Sequence, residues 1–371
     1  MNMNPIRPFK WLLPALLVTA ARADVVLAPA GAGANAAVQV NGPLTTVNLA
    51  GPARIEWQAF NVRAGQEVRY LSQNGGGFPS LNILRSPAAA IIDGRITADG
   101  PFYLISPGGL QVGNSGRIEA PRVLLSTMIP TDETKVLADG SGTFLPDGLG
   151  GSIGVDGTIE TAGGPLIILS GIISTGGQSR MRATGGDIRL AAVDSSPVQV
   201  PPSGGGLIAP STGGTGLINT TGWIDARRVE IVSDGFLVNG GRIAALGQGN
   251  QVRLAASDIV HESRADNSSV IITSALTVDG PFRQVGAIIH PEDGANPAVA
   301  AGLRQTPRLS SQGFITKVEP GQTQLSNAPL QSPQTTASAV PPPLKRSAAL
   351  AARRGAGTVQ KASFFGQVVR H

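Results

Sequence analysis

The sequence contains no cysteine, only three histidines, and few aromatic residues, 4 % of the chain. Without cysteine there is no disulfide framework, thiolate-held zinc, iron–sulfur cluster or thiol nucleophile. Three histidines, one of them the last residue His371, leave metal centres and histidine-based triads little to work with. Long hydrophobic runs are missing too. The apolar stretch Trp11 to Val18 is interrupted by Pro14 and is far shorter than the ~20 residues that cross a bilayer. No later stretch is long and apolar enough to span a membrane. Charged residues are 14 % of the chain, yet 41 % are hydrophobic, so a packed core is within reach.

Glycine and proline are abundant. With 49 and 28 residues respectively, they make up about a fifth of the chain, well above the usual share, and argue against a helical bundle. The formal charge is +5, but its distribution argues against a nucleic-acid groove. Residues 1–23 carry Arg7, Lys10 and Arg22, and residues 301–371 carry nine basic side chains against Glu319 alone. The body between them holds 17 basic and 23 acidic residues, so no basic patch is expected there. The first 23 residues have the three parts of a secretory signal: basic Arg7 and Lys10, the short apolar stretch, and Ala21-Arg22-Ala23 as an A-x-A cleavage site. Cleavage between Ala23 and Asp24 would start the mature chain, an exported and non-integral protein.

From Asp24 to about residue 302 short apolar runs alternate with glycine, Asp and Asn. Asp-Gly pairs at 93–94, 99–100, 139–140, 147–148, 156–157, 234–235 and 279–280 mark turns. A degenerate unit recurs: Gly94-Arg95-Ile96-Thr97-Ala98, Gly116-Arg117-Ile118-Glu119-Ala120, Gly157-Thr158-Ile159-Glu160-Thr161, Gly222-Trp223-Ile224-Asp225-Ala226 and Gly241-Arg242-Ile243-Ala244-Ala245. A repeat near 20 residues is one coil of a solenoid, and stacking of coils makes the core. The two-residue strand period puts isoleucine inward and charged or polar neighbours outward. The fold class expected is all-β, a right-handed parallel β-helix with an N-terminal cap, formed by residues 24 to about 60, and a disordered C-terminal tail. An antiparallel sandwich is the alternative, and it accounts less well for the repeat. Pro130 to Gly151 and Pro197 to Gly216 read as loops leaving the solenoid. Residues 303–371, rich in Pro, Ser and Gln and then basic, read as a mostly disordered tail with one short helix at 345–354.

Four blocks resemble the two-partner secretion domain of filamentous haemagglutinin-like exoproteins, also described as the haemagglutination activity domain. Ile55 to Gly65 resembles I-x-W-x-x-F-x-V-x-x-G, carried by Trp57, Phe60 and Val62. Ile92 to Gly100 resembles the I-x-G-x-I-x-A-x-G segment, Phe102 to Gly113 the LINPNG-type motif, and Val123 to Thr127 the run that follows. The family's Asn-Pro-Asn-Gly reads Ser106-Pro107-Gly108-Gly109 here, and Asn82 echoes its earlier Asn-Arg-Val stretch. The resemblance implies a secreted exoprotein that passes the periplasm of a Gram-negative bacterium and crosses the outer membrane through a dedicated β-barrel transporter, its partner. Trp57, Phe60, Asn82, Ser106, Pro107, Gly108 and Gly109 are then the secretion-motif residues, serving transporter recognition or folding. Surface association or adhesion to a host or cell-surface glycan or protein is the role implied. Family members usually continue into a long shaft or an effector, and here a short tail follows the module.

Other motifs carry less. Gly150-Gly151-Ser152-Ile153-Gly154 matches G-x-S-x-G but lacks the strand, helix and histidine of a nucleophile elbow. Gly31 to Ala36 matches a dinucleotide fingerprint with no strand before it and reads as flexible leader. His261 and His290 read as surface or loop residues. Glu56, Asp93, Glu119 and Asp156 are outward carboxylates that nothing in the sequence pairs, the only basis for a carbohydrate-active β-helix enzyme. The Lys345 to Arg370 segment, with Phe364 and Phe365, reads as a solvated basic tail. No catalytic residue, cofactor, metal or nucleic-acid partner is expected, and the protein is expected to be a monomer. A truncated member that no longer engages a transporter is the third reading.

Overall fold

The computed structural model describes residues 25–202, 205–262 and 269–289. The expected signal segment with Ala21 and Ala23, His290, the expected boundary at 302 and residues 303–371 lie outside them.

Alternating short strands and glycine turns build a coil, and each strand pairs in parallel with its equivalent in the next coil. Three parallel ladders result. The first runs from Leu44–Leu49 and Glu67–Ser72 through Arg95–Ala98, Arg117–Ala120 and Thr158–Ala162 to Val270–Ile272 and Ala287–Ile289. The second starts with Ala53–Ala59, Ser80–Leu84 and Phe102–Ile105 and ends at Leu276–Asp279. The third starts with Asn61–Val62 and Ala90–Ile92 and ends at Phe282–Gln284. Two longer strands, Arg180–Ala192 and Trp223–Ser233, contribute to both the first and second ladders. The protein is a parallel β-helix.

The recurrent isoleucines stack in one register column of the first ladder: Val68, Ile96, Ile118, Ile159, Met181, Ile224, Ile243, Ile271 and Ile288. All are buried in a single core, and burying each such side chain stabilises the fold by about 2 kcal/mol relative to exposing it. The glycine that opens each unit is steric in origin. A Cβ at Gly116 would lie 2.0 Å from the Ile92 carbonyl oxygen, and one at Gly241 2.2 Å from that of Gly222. Coils approach too closely at this corner for any side chain.

Strand Val26–Ala32 pairs antiparallel with Ala53–Ala59, and Ala36–Asn41 forms a hairpin with Leu44–Leu49. These segments cover the first coil. The cap is thus narrower than residues 24 to 60, because Leu44–Leu49 and Ala53–Ala59 are already rungs. Gly31 to Ala36 corrects the leader expectation, since it joins the cap strands, and Gly33 N donates to the Arg54 carbonyl at 3.2 Å.

The two segments expected to be loops are also corrected. Strands Ile129–Pro130, Gly142–Leu145 and Val198–Val200 form a small antiparallel sheet. Helix Glu133–Asp139 precedes its middle strand. Asp132 accepts from Lys135 N at 3.0 Å at its start, and Gly140 closes it in the left-handed region. This insert packs on the outer side of the second ladder. There Leu81, Tyr103, Leu124 and Ile167, one register column, are buried against Val136, Phe144, Val198 and Val200. Runs such as Phe102-Tyr103-Leu104-Ile105 are apolar at every position because both faces are covered.

Candidate functional site

The secretion-motif residues divide into two groups in adjacent coils. In Ala53–Ala59 the inward positions are Ala53, Ile55 and Trp57. Trp57 meets Phe60 edge-on, ring centroids 5.2 Å apart. Asn82 stacks on Ile55 in the next coil, inside the core. Its Oδ1 accepts from Trp57 Nε1 at 3.0 Å and from the Tyr70 hydroxyl at 2.8 Å. Its Nδ2 donates to the Tyr103 carbonyl at 3.1 Å and to Ser80 Oγ at 3.3 Å. A buried amide costs several kcal/mol unless it is paired, and here both ends are. Burial pushes the Tyr70 phenol well above its ordinary value, which keeps its proton in place for donation. Phe102 packs on Tyr70 with centroids 5.2 Å apart.

The second group is the corner turn between the second and third ladders. Gly109 N donates to the Ser106 carbonyl at 3.0 Å, and Ser106 Oγ donates to the Gly109 carbonyl at 2.6 Å. Gly109 has φ +117°, so Ser106-Pro107-Gly108-Gly109 does form a tight turn. It is stacked between neighbouring corners. A Cβ at Gly108 would lie 2.0 Å from the Pro87 carbonyl oxygen, and one at Gly151 2.1 Å from that of Pro107. The asparagine found there in the family pattern has no room in this chain.

The structure therefore brings Trp57, Phe60 and Asn82 together and leaves Ser106 to Gly109 at a separate corner one coil on. Trp57, Phe60, Asn82 and Ser106 are all fully buried. Sequence reasoning did not single out Tyr70, Ser80 and Phe102. The signal for Tyr70 was present, since it stands two residues after Val68 on the same face of its strand.

The carboxylates of Glu56, Glu119 and Asp156 do have partners. Glu56 lies 2.6 Å from Arg54 and 2.7 Å from Arg85. Glu119 lies 2.5 Å from both Arg95 and Arg117. Arg85 and then Arg54 hold Glu56 below its ordinary value. Burial alone would raise Glu119, but Arg95 and Arg117 outweigh it and the net shift is also down. Asp156 accepts from Gln111 Nε2 at 2.8 Å, and Asp93 gives its backbone carbonyl to Ser115 Oγ at 2.7 Å. Ionised, arginine-held carboxylates make poor general acids. Ser152 of the G-x-S-x-G match begins a strand of the third ladder, and the next element is another strand, Thr158–Ala162. Among the described residues no group of three His, Asp or Glu side chains could hold a metal ion. No helix among them is long and apolar enough to cross a membrane.

His261 corrects the expectation of a surface or loop histidine. It is fully buried on the inner side of the third ladder. Its Nδ1 lies 3.0 Å from Asn239 Nδ2 and 3.4 Å from Ser269 Oγ.

None of the curated proteins matches this chain. Among solved structures it is similar to the crystal structure of the HMW1 secretion domain from Haemophilus influenzae. Identity is 19 %, the match covers 72 % of this chain and 81 % of that one, and the TM-score is 0.47. A family model described as the TPS secretion domain matches residues 28–281, a span that includes the cap, the Trp57–Asn82 knot, the corner turn and the insert. The chain belongs to the TPS secretion domain family, the secreted exoproteins of two-partner secretion.

Proposed function

We propose that this module directs export through a dedicated outer-membrane β-barrel transporter, and that its motif residues act as a folding nucleus rather than as a docking surface. The observation that carries this reading is burial. Trp57, Phe60, Asn82 and Ser106 expose nothing in the folded coil, so a transporter meets them only before the coil closes. Folding outside the membrane, started at the first coils and extended coil by coil, then favours outward movement. The released protein associates with surfaces as an adhesin and works without catalysis.

The test is fractionation of cells producing the tagged protein with and without the partner transporter. Transporter-dependent appearance in the medium supports the reading, and periplasmic retention in both cases overturns it. Asn82→Leu separates nucleus from docking surface. It leaves the Trp57 and Tyr70 donors without an acceptor, a cost of about 2–5 kcal/mol. Export and the stability of the purified module should fall together. Loss of export at unchanged stability would mean that Asn82 is read directly.

A further inference from the structure

Along the outer column of the second ladder, Tyr103, Leu124 and Ile167 are apolar and covered by the insert. The next rungs in the same column are Arg189, Glu230 and Arg253. The fold does not require this change, because the earlier rungs show that apolar side chains fill the position. Buried charge is a costly way to hold a wall together.

Asp187 and Arg189 face each other at 3.1 Å with side chains 8 % and 6 % exposed. Arg227, from the following coil, reaches the other carboxylate oxygen at 3.0 Å. One carboxylate thus serves two guanidinium groups. Among the described residues, the side chain of Arg189 bonds Asp187, although a guanidinium carries five donors. Among the same residues the Arg227 Nε is buried without an acceptor. Buried donors of this kind are normally paired, and an unpaired one marks a place for water or a ligand.

These groups line a cavity of about 160 Å³, together with the glycine turns at Gly163-Gly164 and Gly185-Gly186 and with Gly140 and Pro201 of the insert. Arg122 also lines it and donates to the Asp139 carbonyl. The Asp139 carboxylate accepts from Ser141 N at 2.8 Å. Three guanidinium groups therefore stand against two carboxylates. An empty apolar cavity of about 150 Å³ admits one six-membered ring. This one is walled by charge, by glycine peptide groups and by the apolar edges of Pro165, Ile167, Val200 and Pro201, a mixed lining that suits a hydroxylated ring carrying a carboxylate. A planar guanidinium selects a carboxylate by paired hydrogen bonds.

We propose that this cavity binds one hexuronic acid residue, free or at the end of an acidic polysaccharide, with its carboxylate on Arg227 and Arg189. The inference deepens the surface-association part of the proposed function by giving it a ligand class. It is tested on the purified, folded protein, so failure of export and failure of binding are distinguishable.

The experiment is calorimetric titration with sodium glucuronate, sodium galacturonate, glucose and sodium sulfate, on the natural protein and on Arg227→Leu, Arg122→Leu and Arg180→Leu. Arg227 is 41 % exposed and Asp187 keeps Arg189 in its absence, so Arg227→Leu should fold, which a thermal melt checks. Arg180, on the first ladder, removes the same charge away from the cavity. The expected result is saturable uronate binding without glucose binding, weakened about tenfold or more by Arg227→Leu and Arg122→Leu and unchanged by Arg180→Leu. Absence of uronate binding at millimolar concentration overturns the proposal. So does sulfate binding as well as uronate, or equal weakening by all three variants.

Discussion

The coils up to about residue 162 and those from about residue 172 onward have the same three-ladder plan but different interiors and surfaces. On the third ladder one inner column reads Val62, Ile92, Val112 and Val155 in the first half. The same column continues as Thr175, Thr220, Asn239, His261 and Gln284. At this corner in the first half, Asp93 N and Gly94 N donate to the Val62 carbonyl at 2.7 and 2.8 Å. In the second half side chains take part. Thr221 N donates to Thr175 Oγ1 at 3.0 Å, and Gly241 N donates to Asn239 Oδ1 at 3.2 Å.

The outer face of the first ladder changes in parallel. Early rungs set Arg69 on Glu67 at 3.0 Å and Arg117 on Glu160 at 3.0 Å. Later rungs stack Arg180 and Arg242 over Trp223, at 4.8 and 5.4 Å from its ring, and the nearest carboxylate, Asp225, is 3.6 Å from Arg242. Trp223 is 40 % exposed. Of the buried rings in the main core, Trp57, Phe60, Tyr70 and Phe102 belong to the first half and Phe282 to the second. The comparison teaches a division of labour within one repeat. The first half fills its core with apolar side chains and most of the rings, and the second places polar side chains in directional ladders and cations on its surface.

The largest test of that division is a pair of truncations. Trp57→Ala should cost about 3–5 kcal/mol, while Phe282→Ala, in the last rungs of the third ladder, should cost clearly less; denaturant melts measure both. Equal losses would remove the idea of a first-half nucleus. Next in size is Gly108→Asn, which brings the turn closer to the family pattern. It must displace the Pro87 corner, so we expect a loss of about 1–3 kcal/mol and no gain in export. Better export from this variant would mean that asparagine itself is recognised.

The smallest effect is in acid, where the halves should respond with opposite sign. Glu56 and Glu119 have depressed values in the fold. Their stabilisation is present above their unfolded values and is lost as pH falls through the folded ones. In the second half, burial raises Asp225 against the pull of Arg242, Arg182 and Arg180. Burial and the neighbouring Asp194 raise Asp234, while Asp194 itself, held by Thr215, is lowered, so this pair offsets itself. For Asp225, acidification from neutral relieves a penalty. Hydrogen exchange followed coil by coil, corrected for intrinsic rates, should show the first half losing protection below about pH 4 while the coil of Asp225 keeps its own. Uniform loss would contradict the contrast.

Much of the solenoid was legible because its repeat is local. The Gly-x-Ile unit fixes a close corner at one position and an inward apolar side chain two residues on, and all five instances fall in register. The insert was less legible. Pro130 to Gly151 looks like loop by composition, and only the apolar runs opposite it, Phe102 to Ile105 and Leu166 to Leu169, hinted that the outer face was covered. His261 was misplaced for a different reason. Its inward direction depends on register with Asn239, and the unequal coil lengths hide that register in the linear chain.

Within the chain, the sequence alone determined the strand period, the turn chemistry, the family's motif blocks and the absence of thiol chemistry, since each follows from neighbours a few residues apart. The tertiary structure decided which polar groups meet. Asn82 between Trp57 and Tyr70, His261 beneath Asn239, and Arg227 on Asp187 across an insertion join residues 12 to 40 positions apart. Such contacts follow from the stacking of coils about 4.8 Å apart, a spacing that brings successive coils together whatever the length of chain between them.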